Sequence, residues 1–264
     1  MIRTVLVLVA HPDDAELFAG GTIARMVEEG YAVHYVIATQ GDKGSFELEG
    51  ETVARVREEE ARRAAEAMGV KEVVFLGYPD GDLGNVPLKE VRERFIRLIR
   101  QFKPQILMTW DPFAPGEVHP DHRAAGLAAT EAAEFACLPL YHPEHLVEGF
   151  QPHYVTEKYF FAINRHDVNK IVDITPYIEK KIKALACHAS QMTFMVQGII
   201  MQLEVAGMKT KALELRNSDY TAGVAMFVRI RAQEVGAQIG VAYAEAFRYV
   251  RFNPIVEQLM QHGK

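Results

Sequence analysis

Cysteine is scarce: the 264 residues hold two, Cys137 and Cys187, both in alanine-rich stretches that read as helix. So few thiols exclude a disulfide framework and fit a chain kept reduced in the cytoplasm, both cysteines being buried and free. Long apolar runs are missing too. Nothing approaches the roughly 18 residues of a membrane span. Met1 to Thr4 lead straight into the run Val5 to Ala10, which is too short for a secretory signal and has no small-residue cleavage site after it. No block of like charge exceeds Glu58-Glu59-Glu60, and 29 basic against 35 acidic residues leave a net charge of -6. A nucleic-acid or anionic-membrane surface is therefore disfavoured. Internal repeats and low-complexity segments are absent. What remains is 49% hydrophobic and 24% charged, enough for a full globular core.

Residues 2–136 alternate short β-branched runs with longer helical patterns, as successive βα units around a parallel sheet do. Strands are expected at 4–10, 31–39, 72–77 and 105–110, with helices at 16–29, 52–68, 87–102 and 121–136. Gly69 ends the second helix and Pro104 follows the third. Cys137 to Tyr154 contains three prolines and no clean period, and reads as a surface loop. Two β-rich runs follow, Val155 to Ile163 and Lys170 to Ile174, joined by Asn164-Arg165-His166-Asp167 in a hairpin or loop. Helices at 176–189, 192–207 and 222–235 follow. No Gly/Ser linker divides the chain, so one α/β domain is expected over 1–264: a βα core over 1–136 and a C-terminal elaboration over 137–264.

In open parallel sheets ligands bind beyond the carboxyl ends of the strands, and here those segments are polar. The first strand is followed by His11-Pro12-Asp13-Asp14-Ala15-Glu16, the second by Gln40-Gly41-Asp42-Lys43-Gly44, the third by Gly77-Tyr78-Pro79-Asp80-Gly81-Asp82, and the fourth by Asp111 to His122. Gly20-Gly21 could open a phosphate cradle, but the tight G-x-G-x-x-G spacing is missing and the nearby carboxylates would repel a phosphate. A divalent metal suits the composition better. His11 with Asp13 or Asp14 offers one nitrogen and one oxygen, and His119-Pro120-Asp121-His122 adds one or two nitrogens. Three protein ligands and an open position are the stoichiometry of catalytic zinc. Spacing does not decide between the two aspartates. A helical wheel over 52–68 places Arg57 and Glu60 on the apolar face with Val53, Val56 and Met68. Either they form a buried ion pair, or Arg57 reaches a substrate hydroxyl or carboxylate while Glu60 holds it. His34, His142, His145, His153 and His166 read as surface residues.

The segment Ala10 to Glu16, the following Gly20-Gly21-Thr22 and His119-Pro120-Asp121-His122-Arg123 resemble the paired motifs of the LmbE-like (PIG-L type) zinc N-deacetylases. Arg57-x-x-Glu60, Gly77-Tyr78-x-Asp80, His188-x-Ser190-Gln191 and Ala244-Glu245-Ala246-Phe247-Arg248 extend the resemblance over most of the chain. Trp110-Asp111-Pro112 and Ile171-Val172-Asp173-Ile174-Thr175 are similar to diacetylchitobiose deacetylases in particular. The resemblance implies a Rossmann-like three-layer fold with a mostly parallel sheet, elaborated by a C-terminal β-hairpin and helices. It implies one Zn2+ per subunit on His11, Asp14 and His122, with Asp13 as general base. His119 would lie beside the metal without ligating it and stabilise the oxyanion as an imidazolium. Asp121 would be an acceptor behind the histidines or simply an acid at a helix start, and Arg57, Asp80 and Lys43 would bind substrate. The activity implied is removal of an acetyl or other acyl group from an N-acetylglucosamine-type amino sugar or glucosamine conjugate. The enzyme would be a cytoplasmic homo-oligomer, a trimer or hexamer, with neither nucleic acid nor membrane as partner. A zinc amidase for a non-sugar amine, a non-catalytic zinc-binding module and a Rossmann-like nucleotide-binding protein are the alternatives.

Overall fold

Runs rich in Val, Ile, Leu and aromatic residues form five parallel strands: β1 (Thr4–Val9), β2 (Ala32–Thr39), β3 (Glu72–Tyr78), β4 (Ile106–Trp110) and β5 (Glu157–Phe161). The computed structural model describes residues 3–262, so the outermost positions of the expected 1–264 domain lie outside the described residues. Two further strands, β6 (Lys170–Asp173) and β7 (Ala244–Val250), complete a sheet of order β3-β2-β1-β4-β5-β7-β6. Only β7 runs against the others. The helices are α1 (Asp14–Glu28), α2 (Gly50–Met68), α3 (Leu88–Phe102), α4 (Pro120–Phe135), α5 (Glu144–Val147), α6 (Ile178–Leu185), α7 (Ala189–Val205), α8 (Lys209–Arg216), α9 (Tyr220–Gly236) and α10 (Pro254–His262).

β1 and β4 are buried along nearly their whole length, as parallel strands covered on both faces must be. Right-handed crossovers carry α1 and α2 to one face as the sheet grows outward from β1, and carry α3 and α4 to the other once the chain returns to β4. Accordingly α6 packs on α1 and α2, while α3 packs on α4. The result is the expected three-layer, mostly parallel α/β fold. The strand order reverses between β1 and β4, so a crevice opens outside their carboxyl ends, where His11 and His119 to His122 lie.

The C-terminal half departs from the sequence expectation. β5 and β6 do not form a hairpin, because β7 lies between them and pairs antiparallel with both. They therefore run parallel to each other, an arrangement that a tight turn cannot connect. The helix expected at 176–189 stops at Leu185, the loop at 137–154 carries α5, and α8, α10 and β7 were not expected. His145 is fully buried rather than superficial, taking a hydrogen bond from Arg100 at 3.1 Å and facing Glu93 at 2.7 Å. Cys137 and Cys187 are free but half-buried. No helix among the described residues is long and apolar enough to cross a membrane.

One glycine fixes the approach of α4 to β4. A Cβ on Gly126 would stand 2.6 Å from the Trp110 carbonyl oxygen and 3.2 Å from the Pro112 nitrogen, both backbone atoms that cannot swing away. Gly126→Ala should therefore destabilise the fold by about 1–3 kcal/mol, read from the midpoint of denaturant unfolding at unchanged slope.

Candidate metal centre

The loop leaving β1 turns sharply to start α1, and its two aspartates point apart. Asp14 begins the helix and folds back: its Oδ2 accepts the Ala10 and His11 N–H groups at 3.1 and 2.9 Å and the Trp110 indole N–H at 2.7 Å. Three donors on one oxygen fix the carboxylate and leave Oδ1 uncommitted. At the end of the β4 loop, Pro120 occupies the first turn of α4, and His119 caps it by accepting the Asp121 N–H at Nδ1, 3.3 Å away. The same first turn presents His122.

These elements converge on one point. His11 Nδ1 and His122 Nε2 face each other at 3.1 Å, Asp14 Oδ2 is 3.8 Å from the first, and Asp14 Oδ1 is 3.8 Å from the second. Two imidazole nitrogens aimed at each other beside an uncommitted carboxylate oxygen form a donor set that one divalent cation satisfies. His11, His119 and His122 also offer atoms within 4.8 Å of one another, as do His11, Asp80, His119 and Asp121. These residues could hold a metal ion.

The surroundings suit that use. His11 Nε2 lies 3.1 Å from Asp80 and 3.3 Å from Asp121; carboxylates only accept, so the hydrogen sits on Nε2 and Nδ1 is free to ligate. Asp121 is fully buried and also takes the Gly81 and Leu83 N–H groups at 2.6 and 3.0 Å, tying the β3 loop to the site. His122 stacks on Trp110 with ring centres 3.7 Å apart, and its Nδ1 lies 3.2 Å from Glu117. Sequence reasoning missed Glu117. A carboxylate two residues before a His-Pro-Asp-His run is the only signal that could have pointed to it.

Asp13 adopts φ 153° and ψ −19°, a conformation that side-chain-bearing residues rarely hold. Such strain tends to persist where surrounding structure fixes it for a purpose. Arg57 does that fixing: its Nη2 donates to Asp13 Oδ1 at 3.1 Å and to the Pro12 carbonyl at 3.4 Å, and its Nη1 donates to the Gly41 carbonyl at 3.1 Å. A Cβ on Gly41 would stand 2.4 Å from that guanidinium. The Arg57–Glu60 ion pair is not formed. Glu60 instead accepts from the backbone and hydroxyl of Ser190 at 2.9 and 2.6 Å, at the start of α7. Lys43, Arg57 and Asp80 line the same cavity of about 400 Å³ as His11, Asp13 and His119. Lys43 is exposed and bonded to Asp82 at 3.0 Å, and Asp80 is turned onto His11. His188 is buried 3.4 Å from Glu16, beneath the Asp13 loop.

Burial works against a charge on His11, but its hydrogen bonds to Asp121 and Asp80 and the charge of Asp14 outweigh it and raise its pKa to about 10. Burial and then the His11 charge hold His122 down to about 3, and the same two causes lower His119. Both causes, with Nδ1 accepting the Asp121 N–H, favour a neutral His119 ring whose Nε2–H can donate. Burial raises the Asp13 carboxyl despite the opposing pull of Arg57. For His11 the folded pKa exceeds the ordinary 6.5, so its proton stabilises the metal-free fold below that value, and the contribution fades as pH climbs to about 10. A metal ion must displace the proton. Its apparent affinity, measured by chelator competition, should rise about tenfold per unit over roughly pH 6–8.5.

A doubly wound sheet whose switch-point loops gather two histidines and an aspartate, with a second, strained aspartate alongside, is an α/β fold with a site that could hold a metal ion. Carboxylates stand where a dinucleotide fold would present a phosphate cradle. The chain belongs to the PIG-L family, whose model, described as GlcNAc-PI de-N-acetylase, matches residues 6–133. It is 37% identical over 192 residues to the diacetylchitobiose deacetylase of Thermococcus kodakarensis, covering 72% of this chain and 70% of that protein. It is 28% identical over 267 residues to the 1D-myo-inositol 2-acetamido-2-deoxy-alpha-D-glucopyranoside deacetylase 1 of Catenulispora acidiphila, covering 80% and 82%. The structure of N,N'-diacetylchitobiose deacetylase from Pyrococcus horikoshii, complexed with its inhibitor MPG, matches with a TM-score of 0.79 at 30% identity, over 97% of this chain and 88% of that one.

Proposed function

We propose that this chain is a zinc-dependent hydrolase that removes the acetyl group from an N-acetylglucosamine-type amino sugar or glucosamine conjugate. The observation that carries the reading is the convergence of His11, His122 and Asp14 beside an Asp13 carboxylate gripped by Arg57. Zinc on those three residues would supply Lewis acidity and lower the pKa of a water toward about 7. Asp13, with one oxygen on Arg57 and the other free, takes the proton of the attacking water and carries it to the departing nitrogen. Its raised pKa suits a group that must first accept a proton and then give it up. His119 donates from Nε2–H to the amide oxygen as that atom gains charge. Asp80 and Asp121 hold His11 in its ligating tautomer, and Lys43 and Arg57 offer donors to sugar hydroxyls. The relatives named above act on acetylated amino sugars, and the polar β2 and β3 loops suit such a group. The enzyme is cytoplasmic and assembles as a trimer or hexamer through the apolar side chains exposed on α7 and α9, among them Ile199, Met201, Met226 and Ile230.

The test is an amine-release screen with zinc-reconstituted protein over N-acetylglucosamine, its glycosides, its malate and inositol conjugates, and chito-oligosaccharides. Release from none of them by metal-loaded protein would overturn the reading. His119→Ala should keep its metal and lower kcat and kcat/KM together by about 10²–10³-fold, because its bond strengthens only as the oxyanion forms.

A further inference from the structure

A second cavity, of about 260 Å³, lies beside the metal centre among α1, the end of β5, α7, α9 and β7. It shares Leu17, Phe18 and Ile163 with the metal cavity, so one apolar wall serves both. Four charged side chains border it. Lys181 bonds Glu245 at 2.6 Å, and Glu245 also takes the Gly21 and Thr22 N–H groups at 2.9 and 2.8 Å. Arg231 donates to the Ile163 carbonyl at 3.0 Å, and Arg165 stands 3.7 Å from Glu234. Only the Lys181–Glu245 pair is buried and closely matched; Arg165 is exposed and Arg231 partly so, and the remaining surface is aliphatic and aromatic.

Sheet order separates the two sides of the metal centre. The polar wall comes from the loops after β2 and β3, on one side of β1, whereas the shared apolar wall and the second cavity lie toward β5 and β7 on the other. An amide bound with its hydroxylated amine on the polar wall directs its acyl group at Leu17, Phe18 and Ile163. We propose that the second cavity receives the acyl chain, and that the preferred substrates are amino sugars carrying a linear medium-chain acyl group rather than acetyl alone. An apolar cavity of about 150 Å³ holds the six carbons of benzene, so about 260 Å³ holds a chain of roughly eight to ten carbons. The reaction is unchanged: the C–N bond breaks, water gives its hydroxyl to the acyl carbon and a proton to the nitrogen, and a fatty acid leaves with the free amine. This inference rests on the deacylase reading above.

The experiment compares kcat/KM for N-acetyl-, N-butanoyl- and N-octanoylglucosamine, and for the same acyl series on chitobiose, with zinc-loaded protein. Each buried methylene can contribute up to about fourfold, so the octanoyl substrates should exceed the acetyl ones by at least about tenfold. Ala232→Phe, which fills the cavity from α9, should reduce the octanoyl-to-acetyl ratio by at least about tenfold; Val228→Trp serves the same purpose if the first variant melts early. Cleavage of acetyl substrates with octanoyl ones no better overturns the inference and leaves the deacetylase reading intact. An unchanged ratio in folded variants overturns it as well. Amine release from neither series by metal-loaded protein overturns the deacylase reading itself.

Discussion

Asp13→Asn should retain its metal and lose at least about 10²-fold in kcat, the usual worth of a positioned proton carrier. The substitution keeps the shape of the side chain. Its amide oxygen can still accept from Arg57, and asparagine has the same size and branching as aspartate, so the turn into α1 should hold. What disappears is the capacity to take a proton. The loss should fall on kcat and kcat/KM alike, with metal content, measured by elemental analysis, at the parent level. If Asp13→Asn came out metal-free while Asp14→Asn stayed loaded, the two aspartates would have to exchange roles.

The opposite pattern is expected of His122→Ala, which should bind zinc at least about 10²-fold more weakly and turn over only as far as it can be loaded. Structural zinc in small domains is worth about 10–16 kcal/mol spread over four ligands, so one ligand in three carries a share large enough to see. The indole of Trp110 would lose its stacking partner, but the buried alanines of α4 still hold the helix on the sheet. Excess zinc should therefore restore part of the activity of His122→Ala and none of that of Asp13→Asn. Parent-like zinc affinity in His122→Ala would mean that the metal lies elsewhere.

Much of this centre could be read locally. His11 to Asp14 and His119 to His122 are short strings at the ends of strands, and both the strands and their ends follow from patterns a few residues long. The partners that make the strings work are distant in the chain. Nothing near Glu60 indicates that it meets Ser190, and nothing near Arg57 shows that it turns to Asp13 rather than to the glutamate one helical turn away. β7 escaped for the same reason. Glu245 and Arg248 argue against a buried strand until their partners are known: Gly21, Thr22 and Lys181 for the first, and a two-pronged bond to Asp111 at 2.6 and 2.9 Å for the second. Helix periods also say little about α7 to α9, whose apolar residues are spread around the helices rather than gathered on one side.

The position of β7 imposes an order of events on a chain emerging from the ribosome. The first four strands can pair as they are made, and β5 can join β4, but β6 has no neighbour until β7 arrives after the whole helical segment between them. Until then one edge of β5 lies open, a surface on which nascent chains can cross-pair. The same late strand carries Glu245 into the middle of α1, the helix that begins at Asp14. A chain released before β7 would therefore keep every residue of both metal motifs yet lack the brace behind the first of them, and chaperones would see it as unfinished along the open edge of β5.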